Sequence, residues 1–494
     1  MNPMLHPLQR VARAGSTLLT ICVVTACVPF SNAADPFAEG VRPTPWHSPA
    51  DQQKSFKLPP GFEIQLVAAE PDINKPMNLA FDAKGRLWVT TSIEYPWAAP
   101  TNKPARDRLM IFEDFGPDGR ARKITEFAGG LNIPIGVYPF FSKNADGRST
   151  WKVIVWSIPN IWLIEDTDGD GKADKREILY GPFDHTRDTH GNQASFRRGF
   201  DGWLYATHGY NNDSHVTARD GSHVDLNSGN SYRIRLNGSR IEHHTHGQVN
   251  PYGLAFDESG SLYSSDCHSE PLFQLLAGGY YPSFGKPHDG LGFVPTMMEK
   301  IRGSTAIDGV SIYTDNLWPQ EFHGNMFFGD VMASAVFRDR VTEHGSTRIA
   351  RALPDFVSTD DPWFRPVDTQ LAPDGAFYIA DFYNRIIGHY EVPLTHPGRD
   401  RESGRIWRVV YKGADGKAKL HQPYDFTKAS AKELVAELAH PNLTRRRLAM
   451  DQLNDRVGKT QRLSYLTIVE NLPRSEIGKV LKRELREGFR TPPS

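Results

Sequence analysis

One phrase recurs along this chain and restricts its fold more than any other feature: an apolar run, an Asp/Gly turn, then a second run of aromatic and small residues. It reads Met77-Asn-Leu-Ala-Phe-Asp-Ala-Lys-Gly-Arg-Leu-Trp-Val89, Gly199-Phe-Asp-Gly-Trp-Leu-Tyr-Ala206, Gly253-Leu-Ala-Phe-Asp-Glu-Ser-Gly-Ser-Leu-Tyr263 and Leu371-Ala-Pro-Asp-Gly-Ala-Phe-Tyr-Ile-Ala-Asp381. Looser copies lie at 136–156 and at His323-Gly-Asn-Met-Phe-Phe-Gly-Asp330. Asp/Gly pairs supply turn residues that tolerate positive φ, and alternating aromatics suit strands with two faces. Strand–turn–strand units at recurring intervals describe radial repetition, so six copies predict an all-β chain folded as a six-bladed β-propeller over 57–412. A large sandwich with coincidental hairpins is the alternative, but it gives no reason for one phrase to return.

The flanks differ in kind. Arg10 and Arg13 precede the apolar stretch Ser16-Thr-Leu-Leu-Thr-Ile-Cys-Val-Val-Thr-Ala26, and Ser31-Asn-Ala33-Ala34 follows. A positive end, a short apolar core and a small-residue exit describe an export signal over 1–34, and the run is short for a membrane anchor. Val24-Thr-Ala-Cys27 also resembles a lipoprotein box, which would make Cys27 a lipidated first residue. The expected location is therefore the periplasm or cell envelope. Residues 35–56 are Pro-rich and polar and read as a linker arm. Beyond 412 the pattern becomes helical: Ser430-Ala-Lys-Glu433 is a capping box before an amphipathic run, and a second helix follows His440-Pro. The segment 426–488 reads as a short HEAT-like helical repeat, which must pack on the propeller or on a partner to be stable.

Charge removes whole classes of function. The 494 residues carry 57 Lys+Arg against 58 Asp+Glu, which leaves no cationic surplus for nucleic acid. No interior run approaches the ~18 apolar residues of a bilayer span, so no transmembrane helix is expected in the mature chain. The chain has 3 Cys, too few for a disulfide framework, and no Cys-x-x-Cys-His, so no c-type haem is expected.

Two local patterns carry chemistry. Asp166-Thr-Asp168-Gly-Asp170-Gly171-Lys172-Ala-Asp174-Lys-Arg-Glu177 matches the Ca²⁺ loop of an EF-hand, with oxygen ligands from Asp166, Asp168, Asp170, the Lys172 carbonyl, Asp174 and Glu177. Val153-Ile-Val-Trp156 and Ile161-Trp-Leu-Ile164 read as strands, which makes it an EF-like loop between strands with a structural ion; an acidic solvated turn is the alternative. The second pattern is a concentration of histidines: His185, His190, His208, His215, His223, His243, His244 and His246. A His-ligated transition metal is one reading. His190 stands out because Asp188-Thr-His190-Gly-Asn192 lies just before an inner-strand phrase, near the expected channel mouth, where a neutral imidazole can take a proton from a substrate hydroxyl.

The phrases around His190, Gly247-Gln-Val-Asn250-Pro251-Tyr-Gly253 and Asp374-Gly…Tyr378-Ile-Ala-Asp381 resemble the soluble glucose and sorbosone dehydrogenases, propellers that use pyrroloquinoline quinone and Ca²⁺. Leu58-Pro-Pro-Gly-Phe-Glu-Ile, the 166–174 loop, the stretch 282–298 with Gly303-Ser-Thr-Ala-Ile307, and Ile386-Ile-Gly-His-Tyr…Gly404-Arg-Ile-Trp-Arg408 resemble more closely the "membrane-bound dehydrogenase" propellers of planctomycete-type bacteria. The resemblance implies oxidation of a sugar or alcohol hydroxyl by the quinone, with His190 as the base and Asp266 beside the cofactor's Ca²⁺; Asp188 as a catalytic residue and Asn250 and Arg302 as cofactor-binding residues are expected with them because all converge near the blade ends. It departs at Val249, where the relatives carry an arginine on the reduced cofactor. Without haem, such an enzyme needs an external electron acceptor. A non-catalytic carbohydrate- or protein-binding propeller with structural Ca²⁺ and a metal-dependent lactonase-like hydrolase remain the alternatives.

Overall fold

In the computed structural model the described residues are 36–267, 269–283, 294–298, 306–386, 392–457, 472–474 and 480–481. The stretch 1–34 read as an export signal, with Cys27, and Arg302 and most of 458–488 lie outside them. Six antiparallel sheets follow one another as blades. Blade 1 is built from Pro76–Phe81, Leu87–Thr91, Asp107–Phe115 and Ala121–Leu131, and blade 2 from Val137–Lys143, Ser149–Ser157, Asn160–Asp166 and Lys175–Tyr180. Blade 3 comprises Gln193–Arg198, Leu204–His208, Asn230–Ile234 and Ile241–His246, with an extra hairpin, Asp213–Thr217 and His223–Asn227, between its second and third strands. Blade 4 has Asn250–Phe256, Leu262–Cys267 and Leu272–Leu275; blade 5 has Ile307–Ile312, Met326–Asp330, Ala335–His344 and Thr347–Ala352. Blade 6 joins Pro366–Leu371, Phe377–Asp381 and Arg405–Tyr411 to the first strand of the chain, Phe62–Ala69, in the register Phe62↔Tyr411. Each blade's first strand contacts those of its two neighbours, and blade 6 contacts blade 1. The ring is closed.

The recurring phrase has a local cause. Its aspartate tightens the hairpin and caps the aromatic of the next strand. Asp82 accepts from Lys84 N at 2.8 Å and from Trp88 Nε1 at 2.7 Å; Asp257 accepts from Ser259 N at 2.9 Å and from Tyr263 Oη at 2.8 Å; Asp201 accepts from Trp203 N at 3.1 Å and from Tyr205 Oη at 2.6 Å. Each pairs a turn with a buried ring, which satisfies the ring's polar atom where it leaves water. Each of the six sequence copies falls in a different blade.

Two features lie outside the ring. The segment 36–56 is docked rather than loose: Val41 bridges to Ile386, and helix α1 (Pro49–Ser55), capped by Ser48, buries Gln52, which donates to Asp381 Oδ2 at 2.9 Å. After blade 6, α2 (Ala431–Glu437) starts at the Ser430–Glu433 capping box and α3 (Leu443–Arg456) follows. Leu434, Leu438, Ala449 and Leu453 join Trp88, Phe127, Val153 and Trp151 in one apolar cluster with blades 1 and 2. Polar bonds then carry α3 across the end where the inner strands finish. Asn442 Nδ2 reaches Asp315 Oδ2 at 2.6 Å and Ala372 O at 2.8 Å, Arg446 reaches Glu258 at 3.0 Å, and Asp451 receives Arg198 Nε at 3.1 Å and the Tyr138 hydroxyl. Five blades are tied to one helix.

Candidate active site

The opposite end, where the inner strands begin, holds a cavity of about 510 Å³. Six-fold repetition explains its lining, since every blade delivers the residues around the start of its first strand. Met77, Ile135, His190, Asn250 with Tyr252, Asp308, and Arg365 with Val367 come from blades 1 to 6 in turn. The docked arm adds Gly40 and Arg42, and the segment before the Arg405–Tyr411 strand adds Arg399, Asp400 and Arg401.

Charge is divided across this ring. Blades 3 and 6 are diametrically opposed in a ring of six. His190 and Asn250 belong to blades 3 and 4, whereas Arg42, Lys75, Arg365, Arg399 and Arg401 gather around blade 6 and its junction with blade 1. Arg365, 3% exposed, donates to Ser334 Oγ at 3.1 Å and Phe364 O at 3.0 Å, but its Nε and Nη2 are buried with no partner among the described residues. Burial, aided by the Arg42 charge, pushes its pKa down to about 9. Lys75 donates to Tyr383 O at 2.7 Å and stands 3.6 Å from Asp400; burial lowers its pKa to about 8. Arg42 Nε, Ser92 Oγ and Tyr252 Oη are likewise buried without partners among the described residues. Buried donors left unpaired are costly, so Arg365 and Arg42 on one side, and Tyr252 on the blade 4 side, leave donors available to acceptor oxygens in the cavity.

The other half is held rigidly. Asp188 Oδ1 accepts from the backbone N–H of His190 at 2.5 Å and of Gly191 at 3.2 Å, and Asn212 Nδ2 donates to Asp188 O at 2.7 Å. Asp188 thus folds the His190 loop and does not line the cavity. Gly191 and Gly209 are in backbone contact: a Cβ on Gly209 would meet Gly191 Cα at 2.5 Å and Asn250 Oδ1 at 2.5 Å. Asn250 accepts from Tyr210 N at 3.2 Å. The His190 ring meets Tyr95, whose hydroxyl lies 2.5 Å from Nδ1.

Several sequence expectations change here. Asp266 is fully buried away from the cavity, where its carboxylate takes Val249 N at 3.0 Å, Asn250 N at 2.6 Å and Ser269 Oγ at 2.5 Å; it shapes the start of blade 4's first strand and has little left to offer a metal. Its neighbour Cys267 lines the cavity instead. In the 166–177 loop, Asp166, Asp168 and Asp170 bring their carboxylates within 4.8 Å of one another. Asp166 also accepts from Gly169 N at 2.6 Å and Gly171 N at 3.0 Å. Asp174 is turned to Thr167, bonding its Oγ1 at 2.7 Å, and Lys172 N donates to Asp170 at 2.7 Å. Glu177 lies on the outer strand of blade 2 and pairs with Arg219, because strand pairing opposite Leu163 carries it away from the loop. The loop sits on blade 2's outer strands, far along the blade from the cavity. The histidine concentration disperses: His208 is saturated by Ser228 O at 2.7 Å and Ser214 Oγ at 2.9 Å, His215 pairs with Asp225, and His243 stacks on His246 with centroids 3.9 Å apart. Among the described residues no three histidines converge as metal ligands.

The cationic half was missed in the sequence. One signal was present. Lys75-Pro76, Asn250-Pro251 and Arg365-Pro366 each place a polar residue before a proline at the start of a first strand, and all three polar residues line the cavity.

A propeller closed at one end by a helix, with a polarised cavity at the other, is the class to which fold and site assign the chain. The chain belongs to the family described as Domain of unknown function (DUF7133), whose model matches residues 48–413. No curated protein matches it in sequence. Among solved structures it is similar to the PQQ-bound form of an aldose sugar dehydrogenase from Streptomyces coelicolor, at 16% identity over 72% of this chain and 99% of that one, with a TM-score of 0.46. It is also similar to the holo PQQ domain of a pyranose dehydrogenase from Coprinopsis cinerea, at 13% identity over 74% and 98% of the two chains, TM-score 0.47, and to the apo soluble aldose sugar dehydrogenase of Escherichia coli, at 16% over 71% and 99%, TM-score 0.41.

Proposed function

We propose that this chain is an exported dehydrogenase that oxidises a sugar or alcohol hydroxyl, with a pyrroloquinoline-type quinone held in the cavity. One observation supports the reading: a rigidly held histidine faces, across the ring, a cationic group in which Arg365 Nε and Nη2 and Arg42 Nε are buried without partners among the described residues. A quinone bearing several carboxylates fits those donors. Arg365 and Arg42 would take its carboxylate oxygens, with Lys75, Arg399 and Arg401 supplying further positive charge. This arrangement replaces the arginine that Val249 does not provide. When bound, the quinone supplies a two-electron acceptor for hydride.

The chain's own residues do the rest. The substrate hydroxyl gives its proton to His190 as the O–H bond breaks. Hydride leaves the same carbon, and carbon and oxygen become a carbonyl. Asp188, Gly191 and Asn250 hold His190 in place. A Ca²⁺ ion beside the quinone finds no ligand in Asp266, so no step is assigned to one. A structural Ca²⁺ is proposed instead at Asp166, Asp168 and Asp170, remote from the chemistry. Export rests on the order of charge, apolar core and small residues at 10–34, with Cys27 lipidation as the tethered variant, and an external electron acceptor closes the cycle.

The test is a titration with pyrroloquinoline quinone followed by absorbance, then dye reduction with aldoses and alcohols. Expected are saturable binding, at least about tenfold weaker in Arg365→Met, and dye reduction that His190→Ala abolishes while binding persists. Absence of quinone binding in the intact protein overturns the reading.

A further inference from the structure

We propose that Tyr95 is the positioning residue of this site, accepting a hydrogen bond from His190 Nδ1–H and so leaving the lone pair on Nε2. The inference rests on the reading of His190 as the base. A neutral imidazole carries one ring proton, and the bond made by one nitrogen decides which nitrogen is the acceptor. Only the Nδ1–H tautomer lets Nε2 take a proton from substrate.

Both sides of the contact are fixed. The Tyr95 hydroxyl is 2.5 Å from His190 Nδ1, and the ring centroids are 5.7 Å apart at 52°. The Tyr95 ring also packs edge-on against Phe382, at 5.8 Å and 80°. The two loops are clasped a second time where Thr189 Oγ1 donates to Pro96 O, and the Asp188 turn fixes the backbone of His190 itself. Tyr95 comes from blade 1 and His190 from the approach to blade 3, so the bond spans blade 2 across the mouth of the ring. A phenol suits this role: it accepts from Nδ1–H without adding a formal charge beside the imidazole. As proton moves to Nε2, the same bond holds the imidazolium ring in place.

The experiment is ¹⁵N NMR of the histidine ring nitrogens in the full chain without quinone, with His190 assigned from the signals lost in His190→Ala. Expected in the wild type is a protonated Nδ1 and an unprotonated Nε2. In Tyr95→Phe, which keeps the ring, the population should shift toward Nε2–H, and with quinone kcat should fall roughly 10- to 100-fold with KM within about twofold, less than the roughly 10²–10⁴-fold of losing the base itself, because the variant misdirects His190 without removing it. A wild-type spectrum showing Nε2–H overturns the proposal, whatever the variant does. So does a Tyr95→Phe protein with unchanged tautomer and kcat. A wild type with the expected tautomer but no oxidation of any substrate in the presence of quinone overturns the dehydrogenase reading instead.

Discussion

Asp368→Ala probes what holds the centre of the channel. Asp368 lies on the first strand of blade 6 and is 0% exposed. It accepts from Leu79 N at 2.9 Å and Asn78 Nδ2 at 3.3 Å in blade 1, from Arg197 Nη2 at 3.3 Å in blade 3, and from Thr369 N at 2.9 Å. Burial raises the carboxyl pKa and lowers that of Arg197, so neither charge is favoured by its surroundings alone. Deleting one partner still strands the other. Breaking a buried pair typically costs about 3–5 kcal/mol, and Arg197 keeps bonds to Leu254 O at 3.0 Å and Phe196 O at 3.1 Å, which places the expected loss near the middle, about 4 kcal/mol. With a urea slope of about 3 kcal/mol per M, the unfolding midpoint should fall by roughly 1.3 M. Removing both charges in Asp368→Ala/Arg197→Met should recover at least about 1.5 kcal/mol relative to additivity. Urea unfolding followed by tryptophan fluorescence measures Asp368→Ala, Arg197→Met and the double variant. A single variant within about 1 kcal/mol of wild type, or a double variant equal to the sum of the singles, refutes the reasoning.

Two further outcomes are expected. Burial pushes the Asp107 pKa up to about 7 against hydrogen bonds from Ile133 N at 2.8 Å and Glu94 N at 3.1 Å; a raised folded pKa means its contribution is fully present below the unfolded value near 4 and is lost as pH rises through about 7, so Asp107→Asn should flatten the decline of urea midpoints across that window, and an unchanged slope would count against it. Adding Ca²⁺ to chelator-treated protein should raise Tm, by the equivalent of about 2.7 kcal/mol at a hundredfold excess over Kd; Asp168→Ala should abolish the shift and Glu177→Gln should leave it, whereas no shift in the wild type argues against an ion in the loop.

What the sequence made legible follows from how local each constraint is. The blade phrase could be read because Asp82, Asp201 and Asp257 do the same work within a few residues of themselves, so the same letters recur. That His190 lines the cavity could be foreseen because it lies just before such a phrase. Tyr95 could not, since its partner is set by the closeness of blades 1 and 3 and by no spacing along the chain. The cation cluster was equally hidden: Arg42, Lys75, Arg365, Arg399 and Arg401 meet because ring closure brings arm, first blade and last blade together. The EF-like loop misled at its last ligand for the converse reason. Glu177 has the right spacing, but a strand pair outranks a loop pattern and turns it toward Arg219.

The pairing of Phe62–Ala69 with Arg405–Tyr411 reverses the order of synthesis: the strand made first finds its partner last. Arg385 Nε bonds Arg42 O at 2.6 Å, and Gln52 on the arm bonds Asp381 in the same final sheet. The cationic wall of the cavity is therefore assembled only when arm, first blade and last blade meet. A nascent or clipped chain can carry a complete His190 loop and still have nothing opposite it, so in this molecule closing the ring and completing the cavity are one event.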